Sequence, residues 1–187
     1  MYKKLLCSAA MMACAMSAHA EVKVFDFSYQ NFFQDDINVT TTLKGRFAVE
    51  DKNGDGAYGV SELVALTFAG ESYAPCGKEA HNTSVSCAIN SFSYQPGALL
   101  SFAADKSAHN EWSDTYYTAV TGNRYGYTSW STSGGQPYYT VYQWTKDTQL
   151  SITAVPEPQT YMMFGAGLLA LLGTVRRRAA SSAIFER

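Results

Sequence analysis

Between positions 51 and 62 the chain reads Asp51-Lys52-Asn53-Gly54-Asp55-Gly56-Ala57-Tyr58-Gly59-Val60-Ser61-Glu62. Oxygen-bearing side chains stand at the first, third and fifth places, glycine at the sixth and glutamate at the twelfth. A hard divalent cation takes about six to eight oxygens, and alternate residues of a tight turn point theirs inward. In this pattern Asp51, Asn53 and Asp55 offer side-chain oxygens and Ala57 its backbone carbonyl. Gly56 permits the bend, Gly59 leaves room for a bridging water, and Glu62 closes the far side with both carboxylate oxygens. The chemistry expected is calcium binding.

The loop resembles an EF-hand calcium loop, yet its surroundings do not. An EF-hand needs a helix on each side, whereas Thr40 to Val49 reads as a strand and Leu63 to Gly70 is short. The eighth place, aliphatic in paired EF-hand loops, holds Tyr58. The expectation is therefore a calcium loop set between two strands, with a weak dissociation constant of roughly 10⁻⁴–10⁻³ M and a structural role. The plain alternative is a Gly-Asn-Asp turn whose carboxylates are merely solvated.

Catalysis has few other footholds. There is no Gly-x-Ser-x-Gly elbow, no His-Glu-x-x-His and no phosphate-cradling glycine loop. His81 and His109 lie in no context that suggests a triad or a zinc site. Glu71 and Glu79 are a conceivable carboxylate pair for glycoside hydrolysis, but sequence does not fix their separation. A non-catalytic protein is expected. Aromatic residues crowd the region from Tyr116 to Trp144, and flat apolar rings with polar edges suit stacking on sugars. Trp130, Tyr138 and Trp144 are the candidate residues for such a face, against the alternative that they fill strands and core by propensity. Thr40-Thr41-Thr42 lacks the repeated ladder of an ice-binding array and reads as a solvated strand face.

The two ends carry addresses. Met1-Tyr2-Lys3-Lys4 precedes an apolar run from Leu5 to Met16 and the small-residue exit Ala18-His19-Ala20. That is the layout of a secretory signal peptide, cut after Ala20 by signal peptidase once the Sec translocon has engaged it. A lipidated Cys14 is the alternative, but the residues before it lack the usual leucine-like approach. The other end reads Val155-Pro156-Glu157-Pro158, then an apolar stretch from Tyr161 to Val175, then Arg176-Arg177-Arg178. Those fifteen apolar residues would span about 22 Å as a helix, so a crossing of the roughly 30 Å hydrocarbon layer is short and strained. Three arginines at one flank keep that flank cytoplasmic and place the body of the protein outside. Pro156 and Pro158 keep the approach to the span extended.

This tail resembles the PEP-CTERM sorting signal of Gram-negative bacteria. The residues that carry the likeness are Val155, Pro156, Glu157, Pro158, the Gly165-to-Leu169 core, Leu171-Leu172-Gly173 and the arginine triplet. The resemblance implies recognition by an exosortase-like membrane protease, cleavage near Pro-Glu-Pro, and delivery to the cell surface or beyond. It also implies an association with exopolysaccharide and biofilm. Ala179 to Arg187 extend past the usual end of such tails. An ordinary uncut C-terminal anchor is the competing reading.

Trimming the ends recasts the rest. Residues 1–20 form the signal segment, 21–155 the exported domain, and 156–187 the sorting tail with its span at 160–175. Of four cysteines, Cys76 and Cys87 remain in the exported part. In an oxidising compartment they pair most simply as a disulfide; a metal site including His81 is the rival, at a spacing unlike common zinc patterns. The whole chain carries a formal net charge of −2. Residues 21–155, however, hold 8 basic and 14 acidic side chains, or −6, which argues against nucleic acid as a partner.

Short β-forming stretches run through the exported part: Val22 to Tyr29, Val39 to Val49, Leu63 to Phe68, Val85 to Tyr94 and Leu99 to Ala103. Thr115 to Val120, Tyr125 to Trp130, Tyr138 to Trp144 and Leu150 to Ala154 complete them. Gly, Asn, Asp and Pro punctuate the series, and no amphipathic helical period persists over three turns. The expectation is an all-β fold, a single antiparallel β-sandwich of jelly-roll-like form.

Overall fold

A computed structural model describes residues 21–34, 37–77 and 83–156 of the chain. The expected signal helix, with its Ala18 and Ala20 exit, lies outside the described residues. So do the expected membrane helix, Glu157, Pro158 and the arginines Arg176, Arg177 and Arg178. Among the described residues no helix is long and apolar enough to cross a membrane. The chain divides into two compact units, Met1–Thr153 and Ala154–Arg187.

Period-two patterning dictates the strands. In β1 (Val22–Gln34) Phe25, Phe27 and Tyr29 are buried while the residues between them are not, because successive side chains of a strand face opposite ways. At Asn31 the register with β2 shifts, Thr40 and Thr41 standing opposite that single residue, and Phe32 also turns inward. Asn31 takes a φ of 66°, a left-handed conformation that asparagine tolerates better than most residues. The remaining strands are β2 (Ile37–Glu50), β3 (Tyr58–Gly59), β4 (Leu63–Phe68), β5 (Glu71–Ala74) and β6 (Ser84–Tyr94). After them come β7 (Ser101–His109), β8 (Ser113–Val120), β9 (Arg124–Ser131), β10 (Tyr138–Gln143) and β11 (Gln149–Val155).

These strands form one curled antiparallel sheet in the order β3-β6-β7-β8-β9-β10-β1-β2-β4-β5, with β11 also beside β1. The all-β antiparallel domain expected from the sequence is what the chain forms. Its two layers are two runs of one continuous sheet, β1-β2-β4-β5 and the meander β6-β7-β8-β9-β10, joined where β10 meets β1 at Phe33 and Gln143.

The curl brings the two runs face to face over an aromatic core. Phe47 of β2 meets Phe92 of β6 at 5.4 Å between ring centroids. Phe27 of β1 meets Phe102 of β7 at 5.8 Å, and Phe68 of β4 meets Tyr125 of β9 at 5.4 Å. The phenol of Tyr29 donates across the core to the carbonyl of Leu100 at 3.1 Å. One glycine is built into this packing. Phe27, Gly45 and Phe68 stand opposite one another across β1, β2 and β4. The two rings stack at 5.6 Å, and that of Phe27 occupies the space a side chain at position 45 would fill.

Two links tie β5, at one end of the strand order, to the β6–β7 end. Cys76, just after β5, is disulfide-bonded to Cys87 of β6. Lys106 of β7 lies buried on the inner face with its Nζ 2.7 Å from the carboxylate of Glu71 in β5. The sheet is thereby closed on itself by side chains where its backbone edges do not pair.

Candidate functional site

The loop from Asp51 to Glu62 connects β2 to β4 through β3 and a 3₁₀ turn at Val60–Glu62. It is a nest of side-chain-to-backbone hydrogen bonds. Asp51 accepts the N–H of Gly54 at 2.8 Å on one carboxylate oxygen and that of Gly56 at 3.1 Å on the other. Asn53 Oδ1 accepts the N–H of Asp55 at 3.0 Å, and Asp55 Oδ1 accepts that of Ala57 at 2.7 Å. The Asn53 amide donates to the second Asp55 oxygen at 2.9 Å. Gly54 and Gly56 adopt φ values of 75° and 73°, so both turns need glycine.

Glu62 stands at the far end of the loop. The residue is buried, 5% exposed, and its carboxylate takes the N–H of Lys52 at 3.1 Å and of Gly59 at 3.0 Å, one on each oxygen. It ties the two ends of the loop together through backbone donors. The structure thus gathers Asp51, Asn53 and Asp55 in one turn and assigns Glu62 to its closure. Among the described residues no group of three or more His, Cys, Asp or Glu side chains is arranged to hold a metal ion.

The carboxylate pair considered for glycoside chemistry resolves into separate fates. Glu71 is the ion-pair partner of Lys106, and Glu79, like His81, lies outside the described residues. His109 Nδ1 contacts the carboxylate of Asp114 directly across from it on β8.

The aromatic candidates also separate. Trp130 on β9 is 42% exposed and its ring lies 4.9 Å from that of Tyr116 on β8. Tyr138 pairs in register with Ser129, so it faces the opposite side of the sheet from Trp130 and packs beside Tyr127 at 5.9 Å. Trp144 packs inward, 4.8 Å from Phe32 and 5.2 Å from Tyr29. Trp130, Tyr138 and Trp144 therefore do not form one platform. Strand alternation alone would have separated Trp130 from Tyr138 had the β9–β10 register been known.

Two concavities flank the β8–β10 strands. The inner one, about 490 Å³, lies between Tyr125, Tyr127, Tyr138, Tyr142 and the Ala69–Gly70 turn. Behind it burial dominates the electrostatics: desolvation pushes the Tyr117 phenol up to about 12 and raises Tyr29, Tyr73 and Tyr125 further. The Tyr73 hydroxyl and the Trp144 indole N–H have no hydrogen-bond partner among the described residues. The outer concavity, about 480 Å³, runs over Gly126 between Tyr116 and Arg124. Sequence reasoning missed it because its floor is made of small residues from several strands.

Comparison with protein families places a PEP-CTERM protein-sorting motif at residues 154–178. Comparison with curated proteins and with solved structures found no match. The motif's first two residues, Ala154 and Val155, are also the last two of β11.

Proposed function

We propose that this chain, which its sorting motif marks as an exported protein processed by an exosortase, acts without catalysis at the cell surface or in the extracellular matrix. The observation that carries the reading is the motif over residues 154–178, with Pro156, Glu157 and Pro158 followed by an apolar stretch and Arg176-Arg177-Arg178. The domain's own chemistry supports it. A Cys76–Cys87 disulfide suits an oxidising compartment, and a net charge of −6 over residues 21–155 suits a solvated surface protein. The setting is exopolysaccharide and biofilm. Within it, the Asp51–Glu62 loop binds a calcium ion weakly, with oxygens from Asp51, Asn53, Asp55, Ala57 and Glu62, and the ion stiffens the β2–β4 connection.

Mass spectrometry of the exported protein tests the sorting step. The expected product begins at Glu21 and ends near Pro156–Pro158, and Glu157→Ala leaves an uncut chain. A protein recovered with Arg187 intact from cells that carry an active exosortase would overturn the reading.

A further inference from the structure

Every second residue of β9 faces outward on the β6–β10 meander: Trp130, Thr128, Gly126 and Arg124. Glycine inside a strand weakens it, so its presence needs a reason. Turn geometry is not the reason, because Gly126 lacks the left-handed φ of the turn glycines. Packing is not the reason either. A Cβ at 126 would meet Thr118 Cγ2 at 3.5 Å and Val141 Cγ2 at 4.0 Å, both ordinary contacts. At Gly45, by contrast, the same atom would lie 2.2 Å from the Phe27 ring. What the missing side chain at 126 does leave is the floor of the outer groove. A strand glycine without a structural cause marks a place where something else approaches the backbone.

The walls of the groove say what that is. Tyr116 lines one end, and Trp130, just beyond the lining, packs against it; the two rings, 50% and 42% exposed, meet at 53° and offer apolar faces to solvent. Along the floor Asp105 is held in place, one oxygen taking a 2.6 Å hydrogen bond from the Asn90 amide and the other the hydroxyl of Thr118. Arg124 stands at the opposite end. Ring faces beside an oriented acceptor, hydroxyls and a guanidinium donor match the alternation of C–H faces and hydroxyls on a pyranose. The volume, about 480 Å³, falls in the range of small-ligand sites, roughly 300–1,000 Å³. The domain's net charge of −6 repels polyanions at long range; in the lining Arg124 offsets Asp105, and Lys106 is paired with Glu71 on the inner face.

We infer that this groove binds a neutral oligosaccharide, one sugar stacked on Tyr116 and Trp130 and its neighbour hydrogen-bonded over Gly126 to Asp105, Thr128 and Arg124. The inference gives a ligand to the surface role proposed above and relies on that role only for its biological setting.

The full chain, purified in detergent, is titrated with cellohexaose, maltohexaose and a galacturonic acid hexamer, followed by calorimetry and tryptophan fluorescence. At least one neutral hexasaccharide is expected to bind saturably, at least tenfold more tightly than the uronate. Trp130→Ala and Gly126→Val are each expected to weaken it tenfold or more. Gly126→Val should do so without lowering the melting temperature, which separates a filled groove from a damaged fold. Failure of every neutral oligomer to bind, preference for the uronate, or wild-type binding by both variants would overturn the inference. None of these results alters the terminal masses that test sorting.

Discussion

Replacing Gly45 by alanine adds one methyl group where the structure has no room for it. The new Cβ would sit 2.2 Å from Phe27 Cζ, 2.5 Å from Phe27 Cε1 and 2.7 Å from the carbonyl oxygen of Thr67. Carbon atoms in contact settle at roughly 3.5–4.0 Å, so the ring must retreat by more than about 1 Å. It has nowhere to go: Phe68, Phe102, Phe47 and Tyr29 surround it with centroids at 5.6, 5.8, 5.9 and 6.0 Å. Overpacking of this kind costs about 1–3 kcal/mol, and losing the Phe27–Phe68 stack adds about 1 kcal/mol. The reduced freedom of the unfolded chain returns about 0.4–1 kcal/mol. The net is a destabilisation of about 2 kcal/mol. At roughly 2.1 cal/mol/K per residue, a domain of 135 residues (21–155) loses about 7 °C in melting temperature. Thermal unfolding by circular dichroism reads this directly. Phe27→Leu in the same chain makes space, so the double variant should recover more than half the loss, a coupling of at least about 1 kcal/mol. An unchanged or raised melting temperature for Gly45→Ala is the outcome of backbone entropy acting alone, and it would refute the packing argument.

Other expectations are as specific. Replacing Cys76 and Cys87 by serine opens a loop of sequence separation 11, which removes about 3 kcal/mol and lowers the melting temperature by about 10 °C in urea or thermal scans. The raised phenols set an alkaline limit. Their folded values lie above the unfolded 10.0, so the stability they lend is whole below about pH 10 and vanishes as pH rises through the folded values, about 12 for Tyr117. Phenolate absorbance should therefore rise in two stages, the second coinciding with loss of the fold; a single stage with the fold intact would contradict it. Calcium at ten times its dissociation constant should add about 1.4 kcal/mol of stability, reversed by EDTA. The loop's geometry selects the variant for this test. Glu62→Gln disturbs a buried carboxylate that holds two backbone N–H groups, whereas exposed Asp55→Asn keeps an acceptor for Ala57 and removes the charge. Equal calcium shifts in wild type and Asp55→Asn would count against the site.

Much of the fold was legible because period-two alternation is a local signal. Each of the nine stretches read from the sequence became a strand, from β1 through Phe25, Phe27 and Tyr29 to β11 through Leu150 and Ile152. The two strands not anticipated were short: β3 has two residues and β5 follows immediately on the Ala69–Gly70 turn. The stretch Leu99 to Ala103 covers only the start of β7, which runs on through Asp105-Lys106 to His109. Lys106 goes inside, since Glu71, 35 positions away, supplies the countercharge. No local pattern reports such a partner. The disulfide was readable from cysteine counting, but that it would close the two ends of a curled sheet was not. The outer groove escaped notice for the same reason: Asp105, Tyr116 and Gly126 meet through the β7–β8–β9 register. The sequence does show the glycine; register alone shows what it makes room for.

The place of β1 in the sheet has a consequence for timing. β1 is the first of the described strands to be synthesised, yet on one side it pairs with β10 and β11, which are made last. The bulge at Asn31 makes the dependence tangible: its carbonyl receives the Thr148 hydroxyl at 2.8 Å and its amide reaches the carbonyl of Asp147 at 3.3 Å. Contacts across more than a hundred residues are slow to form, and these cannot form at all until position 148 has been delivered. By then the sorting motif, which begins six residues later, is the next segment in line. The last strand of the fold and the start of the sorting motif therefore fall within the same few residues, Ala154 and Val155 belonging to both. A chain stalled before that point would present the open edge of β1 to other chains.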